Sequence, residues 1–177
     1  INEIYTHLSE SLDYLAVRET ESSVAGGTIR LLGEREGQPA TGLIERRGMR
    51  IYYQYTHADL LDTHRTTHYS RLSGRDRQSH TDLLKKCHVR KSGQVIGALA
   101  LRPSTWCTEE EWRLLASFTD RPDAVVQLSH LYDTDRAGTI NLFPRQGVGY
   151  NTRVPGRHAG EHFHEKNAFV GLWGKPV

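Results

Sequence analysis

The sequence predicts an α/β fold, a mixed sheet with flanking helices. Three observations support this prediction: apolar residues at helical spacing open the chain, short runs rich in branched and aromatic residues are bounded by glycine turns, and helix and strand patterns alternate from end to end. The 177 residues are 37% hydrophobic and 25% charged, which is ordinary for one globular unit. No internal repeat or linker divides the chain, so we expect residues 1–177 to form a single unit.

The first third of the chain predicts one helix and two pairs of strands. In residues 1–12 the apolar positions recur every three or four residues, which is typical of a helix. Residues 14–17 and 28–32 are apolar runs around a Gly-Gly turn, and they indicate two strands. Residues 40–45 and 49–55 flank an Arg-Arg-Gly turn and predict a hairpin.

The middle of the chain is polar and less regular. Residues 56–90 contain five of the ten histidines and show little periodicity, so we expect a loop-rich insertion there. Thr108 followed by three glutamates predicts a capped helix start, because acidic groups favour a helix N-terminus. A second helix is predicted at residues 123–132, and strands at 139–143 and 168–173.

Charge and apolar patterning exclude some classes of partner. The 23 basic and 21 acidic residues are interspersed and the net charge is +2, so no nucleic acid polymer is expected as a partner. No long apolar run and no secretory leader pattern occurs in the sequence, so we expect a soluble chain without a membrane partner, with the cytoplasm favoured.

The two cysteines, Cys87 and Cys107, do not have the spacing of a zinc knuckle or of a disulfide framework. We expect buried or idle thiols. A reading of Cys87 and His88 as nucleophile and base is discounted, because neighbours in sequence rarely face each other and no third orienting group is evident. The tryptophans lie in or beside predicted regular elements and are expected in the core, namely Trp106, Trp112 and Trp173.

The strongest concentration of chemistry lies near the C-terminus, where His158, His162 and His164 fall within a few residues of two glutamates. Neutral imidazole is the commonest protein ligand for zinc and similar ions, so these histidines are the predicted ligands of zinc or another divalent metal. Gly156 and Gly160 allow the backbone to turn sharply enough to direct several ligands at one ion. The alternative is a polar loop of solvated histidines.

Arginines in the same segment predict an oxyanion site. The guanidinium fork matches phosphate and sulfate, and Arg145, Arg153 and Arg157 all precede or flank the histidines. Arg153 and Arg157 are the predicted substrate-binding residues.

Two other patterns compete with this site. A second Asp/His group could bind a metal if its stretch were helical, but a solvated loop is favoured; its members are Asp59, Asp62, His64 and His68. The sequence around His162 and His164 also resembles the first histidine motif of the cupins. Cupins require a glutamate where Ala168 or Phe169 stands, and the chain has no room for their second motif.

Four motifs occur in a characteristic order: RPDAVVQ at residues 121–127, DRAGTIN at 135–141, Tyr150, and RHAG at 157–160. In this order they resemble the C-terminal region of type I phosphodiesterase and nucleotide pyrophosphatase-like members of the alkaline phosphatase superfamily. The resemblance implies the C-terminal part of an α/β/α sandwich, with His158 as the last metal-binding histidine and His162 as a second. His164 has no counterpart, and Ala159 stands where the family has glycine.

The combined prediction is the C-terminal part of a metal-dependent hydrolase acting on phosphate or sulfate esters or on nucleotide phosphodiesters. The resemblance equally allows a degenerate family member that kept the scaffold and lost the chemistry. The family's nucleophile and remaining ligands lie upstream and have no equivalents here, so no catalytic residue is assigned, and the N-terminal portion of the same protein is an expected partner. The alternative from another class is a non-catalytic metal-binding or interaction domain.

Overall fold

Six strands form one sheet in the computed structural model of the protein, which describes residues 7–19, 28–63, 73–87, 102–117, 119–133, 136–149 and 161–163. The sheet has the order β5-β4-β3-β2-β1-β6. The strands are β1 (Leu12–Glu19), β2 (Thr28–Arg35), β3 (Gln38–Arg47), β4 (Arg50–Thr56), β5 (Arg102–Thr108) and β6 (Ile140–Pro144). The helices are α1 (Gly74–Cys87), α2 (Glu109–Ala116) and α3 (Ala124–His130).

Every neighbouring pair of strands in this sheet is antiparallel, so the prediction of an α/β fold with a mixed sheet, part of an α/β/α sandwich, is wrong. The physical reason is the length of the connections. Parallel neighbours need a crossover of a dozen or more residues, whereas β2–β3 and β3–β4 are joined by short turns. Glu36 and Gly37 both have positive φ, at 54° and 74°, as a tight hairpin turn between twisted strands requires.

Both predicted strand pairs are confirmed. The pair at residues 14–17 and 28–32 lies in β1 and β2, where Ala16 is opposite Leu31. The hairpin at 40–45 and 49–55 is β3 and β4, where Ile44 is opposite Tyr53. These predictions succeeded because the alternation of buried and exposed side chains in a strand is a local property of the sequence.

The first predicted helix agrees only in part with the structure. Among the described residues, His7 and Leu8 are helical, but β1 already begins at Leu12. The strand is buried on both faces: Tyr14 and Ala16 pack in the main core, and Leu15 lies in a smaller cluster on the opposite face.

Two of the three helices α1 to α3 in the described part of the chain agree with the sequence prediction. Thr108 caps α2 with a reciprocal capping box to Glu111, and α3 occupies most of the predicted segment 123–132. Trp112 is buried in the core, as predicted, and its indole N–H donates to the Ile51 carbonyl oxygen at 3.0 Å. Strand β6 confirms the prediction for residues 139–143, whereas residues 168–173 lie outside the described part of the chain.

Helix α1 lies within residues 56–90, where the sequence analysis predicts a loop-rich insertion. Residues 74–79 are exposed and polar, whereas His80 and Cys87 are buried and Leu83 is half-buried. Because α1 has few apolar residues, its sequence shows no clear helical periodicity. Cys87, at the end of α1, forms a disulfide with Cys107 in β5, so the cysteines are buried as expected but are not idle thiols.

Gly33 illustrates how tightly the sheet is packed beside β1. A methyl group at this position would lie 2.8 Å from Leu60 Cδ2 and 3.0 Å from the Asp13 carbonyl oxygen. We therefore expect Gly33→Ala to lower the free energy of unfolding by about 1–3 kcal/mol, the usual cost of overpacking. Urea denaturation measures this loss. Gly74→Ala is the control, because its methyl would meet no atom within 4 Å; equal effects of the two substitutions would contradict the account.

Candidate functional site

Charged side chains are gathered at the end of the sheet where β1 begins and β2 ends. The exposed fractions of Asp13, Arg121 and Glu161 are 7%, 4% and 7%. Charged side chains are rarely buried to this degree unless other groups pair with them. These three residues and the arginine, aspartate and histidine side chains that they contact form a set that we call the buried charge cluster. It consists of Asp13, Arg35, Asp62, Arg121, Glu161 and His162.

Asp13 is placed by an irregularity in β1. Leu12 is opposite Pro144 and Tyr14 is opposite Phe143, so Asp13 is an extra residue relative to β6. A β-bulge of this kind redirects a side chain out of the regular alternation, and bulges are frequent beside functional sites. The bulge accounts for a buried carboxylate within the apolar run that begins at Leu12.

Two arginines share the Asp13 carboxylate. Arg35 Nη1 lies 2.8 Å from Asp13 Oδ1, and Arg121 contacts Asp13 Oδ2. Arg121 Nε also lies 3.4 Å from Asp62 Oδ2, and Arg35 Nη2 donates to the Leu60 carbonyl oxygen at 2.7 Å. The two guanidiniums therefore join the start of β1 to the end of β2, to the segment after β4 and to the turn before α3.

The two carboxylates respond to this environment in opposite directions. Burial pushes the pKa of Asp13 upward, but the His162 side chain and the guanidiniums of Arg121 and Arg35 outweigh it and lower the pKa to about 2. Burial dominates at Asp62 and raises its pKa, although Arg121 and Arg35 partly oppose the shift. Asp13 is therefore the ionised partner that holds the arginines in place.

The low pKa of Asp13 predicts a pH dependence of stability. Its carboxyl ionises more readily in the folded protein, at about 2, than at the ordinary value of 3.8. The stabilisation is therefore complete above pH 3.8 and is lost as the pH falls toward 2. Urea midpoints measured over this range should fall more steeply for the wild type than for Asp13→Asn. Parallel curves would contradict this assignment.

Tyr14 connects the cluster to the core. Its hydroxyl donates to the Glu161 carboxylate, and its ring stacks on Phe143 with centroids 4.6 Å apart and planes inclined by 14°. The Arg121 guanidinium carbon lies 5.5 Å from the centroid of the same ring, within the range of a cation–π contact. The phenol is thus packed between an aromatic ring and a cation while its oxygen binds a carboxylate.

The residues Glu161–Phe163, which we call the histidine segment, supply two members of this cluster, Glu161 and His162. His162 Nε2 lies 3.7 Å from Asp13 Oδ2, and the Phe163 N–H donates to the Asp120 carbonyl oxygen at 2.7 Å. Together with the bond between Tyr14 and Glu161, these contacts join the histidine segment to β1 and to the turn before α3.

Of the predicted metal and substrate residues, only His162 lies in the described part of the chain. The others fall outside it: His158, His164, Arg153 and Arg157. Arg145 is described, and its Nε donates to the Leu12 carbonyl oxygen at 3.3 Å.

The aspartates of the second predicted Asp/His group make separate contacts in the structure. Asp59 accepts bonds from Tyr53 and from Thr63, so it organises the turn after β4, whereas Asp62 joins the buried charge cluster. His64 and His68 lie outside the described residues.

Sequence reasoning did not find Asp13, Arg35 or Arg121 as site residues. One signal was present: Asp13 interrupts a run of apolar residues in a strand that the pattern places in the core. The partners of that aspartate could not be identified, because they come from three other parts of the chain.

The described residues do not complete a metal site. Cys87, Cys107 and Glu111 are the one set of three with possible ligand atoms close together in that part of the chain. The two sulfurs form a disulfide and Glu111 belongs to the α2 capping box, so this set does not fit an ion. An imidazole and a carboxylate also meet at His162 and Asp13, but two guanidiniums already share that carboxylate, so Asp13 does not serve as a second ligand beside His162.

A second polar cluster links β3 to two helices at the far end of α3. His130 lies 2.6 Å from both Glu109 and Asp133, and Arg46 makes two bonds to Asp133, at 2.6 and 3.0 Å. The hydrogen bonds to Asp133 and Glu109 raise the pKa of His130 despite some burial and the charge of Arg46. These groups are partly exposed and bind each other, which indicates a structural role.

Comparison of the chain with protein-family models, with curated proteins and with solved structures finds no match. Within the described ranges, none of the helices has both the length and the apolar character needed to cross a membrane.

Proposed function

We propose that the chain is part of a metal-dependent hydrolase of phosphate or sulfate esters, including nucleotide phosphodiesters. In this proposal the C-terminal histidines hold zinc or another divalent ion. The observation that supports it is the attachment of the histidine segment to Tyr14 and Asp13 of β1 and to the turn before α3, because a site that binds an ion needs ligands held by rigid elements.

The order of the sequence motifs gives further support. Arg121 begins the first motif of the resemblance, and His162 closely follows the last, yet both contact the same oxygen of Asp13. Side chains from the two ends of the matched region therefore lie together in space. A shared site at this end of the sheet is the simplest reason for that arrangement.

The proposed chemistry divides between the ion and the arginines. A divalent ion held by the C-terminal histidines would supply polarisation of an ester oxygen and activation of a nucleophile. Arg153 and Arg157 bind the oxyanion of the substrate by paired N–H donors. His158 is the leading candidate ligand, with His162 and His164 as further candidates.

One observation favours a second candidate function, a non-catalytic metal-binding or interaction domain. Both arginines of the buried charge cluster are paired with its own carboxylates, so neither guanidinium needs an outside anion as a partner. This internal pairing favours a structural role for the cluster over the binding of a substrate anion.

Phosphate binding distinguishes the two functions. The hydrolase proposal predicts that inorganic phosphate or sulfate binds to the zinc-loaded chain, measured by calorimetry, and does not bind after treatment with a chelator. Arg157→Ala should weaken this binding by about tenfold or more, since a hydrogen bond to a charged group contributes about 1.5–3 kcal/mol.

Arg75→Ala is the matched control, because Arg75 is an exposed arginine of α1. Metal binding without anion binding would favour the second candidate. Anion binding that is independent of metal would contradict the hydrolase proposal.

A further inference from the structure

The contacts around Tyr14 assign a role to residues that the proposed function leaves without one. We infer that Tyr14, Asp13 and Arg121 are positioning residues, which hold the histidine segment and its His162 at the bulged start of β1. The consequence for metal binding rests on the proposed function, whereas the attachment of the segment does not.

Tyr14 is suited to this role because its position is fixed. Its side chain is 0% exposed and its strand lies between β2 and β6 in the sheet. Phe143 and Arg121 pack against its ring, so the hydroxyl presents one direction to the Glu161 carboxylate. Because a buried carboxylate needs a donor, removal of this hydroxyl favours movement of the segment toward water.

Asp13 and Arg121 fix the other side of the segment. The Asp13 carboxylate is held by two guanidiniums, and the oxygen that contacts Arg121 is also the one that faces His162 Nε2 at 3.7 Å. Arg121 thus orients both the phenol that binds Glu161 and the carboxylate that faces His162. Arg121 therefore links the Tyr14–Glu161 contact to the Asp13–His162 contact.

The Phe163 amide reports on this attachment directly, since its N–H donates to the Asp120 carbonyl oxygen at 2.7 Å. We expect Tyr14→Phe to speed hydrogen exchange of this amide by about tenfold or more, the effect of losing one hydrogen bond to a charged group. NMR measures the rate residue by residue, with amides of β1 as the reference for global opening.

Tyr53→Phe is the matched control. Tyr53 is also buried in the core, and its hydroxyl also donates to a carboxylate, that of Asp59 at 2.8 Å. We expect this control to leave the Phe163 amide unchanged relative to the β1 amides. Equal acceleration of the Phe163 amide in both variants would overturn the inference.

Two additional readouts separate the inference from the proposed function. Glu161→Gln keeps an acceptor for the Tyr14 hydroxyl and should restore much of the protection of the Phe163 amide that Glu161→Ala loses; failure of this rescue would count against the inference. Zinc affinity should fall in Tyr14→Phe and not in Tyr53→Phe. A wild-type chain that binds no zinc would overturn the proposed function, while the Phe163 amide would still decide whether Tyr14 holds the segment.

Discussion

Arg121→Met is expected to lower the free energy of unfolding by about 3–5 kcal/mol, the cost of breaking a buried ion pair by removing one partner. The Arg121 side chain is 4% exposed and contacts both Asp13 and Asp62. After the substitution, Arg35 remains as a partner for Asp13, but the second oxygen of that buried carboxylate loses its cation. Methionine fills a similar volume, so the loss reports mainly on charge.

The control for this substitution is Arg47→Met. Arg47 pairs with Glu45 at 2.7 Å, but its side chain is 60% exposed, so the expected loss is within about 1 kcal/mol. The double variant Asp13→Asn, Arg121→Met should recover part of the stability, because the uncompensated charge is gone. Urea denaturation of the wild type, Asp13→Asn, Arg121→Met and the double variant measures the coupling, with Arg47→Met measured beside them. A loss in Arg121→Met no larger than that of the control would show that the cluster does not stabilise the fold.

Removal of the disulfide is the second large effect that we expect. Cys87→Ala with Cys107→Ala should lower the free energy of unfolding by about 2–4 kcal/mol, the usual contribution of a native disulfide. The loss should be greatest in α1, because its first half is exposed and, among its side chains that the structure describes, His80 and Cys87 are the buried ones. Hydrogen exchange of α1 compared with α2 measures this local effect.

Treatment with a dithiol reductant provides the control. Reduction converts the disulfide to two thiols as the reductant forms its own disulfide, so the wild type should lose stability and the double variant should not change. A wild type with two free thiols before treatment, or one whose stability is unaffected by reduction, would contradict the role given to this bond.

The local parts of the fold could be predicted from the sequence, whereas the arrangement of the sheet could not. The β3–β4 hairpin and the cap at Thr108 depend on residues within a few positions of each other. Strand direction depends on which segments pair, and alternating helices and strands occur in both parallel and antiparallel sheets. The short turns after β2 and β3 favour antiparallel pairing of those strands, whereas the pairs β1–β6 and β4–β5 join segments far apart in the sequence.

In the candidate site, too, the local pattern is visible in the sequence, whereas the contacts between distant residues are not. The density of histidines at 158–164 is visible in the sequence, and His162 does contact a charged cluster. Asp13 and Arg121 are more than a hundred positions apart, so no local pattern could pair them; their separation is 108 residues. A buried aspartate in a strand indicates that such a partner exists but not which residue it is.

The most direct test of the proposed function is the metal content of the purified wild-type chain, measured by plasma mass spectrometry without a nickel column in the preparation. His158→Ala and His162→Ala are compared with His7→Ala, an exposed histidine far from the motif in sequence. The proposal predicts about one bound zinc or similar ion per chain in the wild type and in His7→Ala, with loss in the other two variants. Absence of bound metal in the wild type after incubation with zinc, or retention of the metal in all three variants, would contradict it.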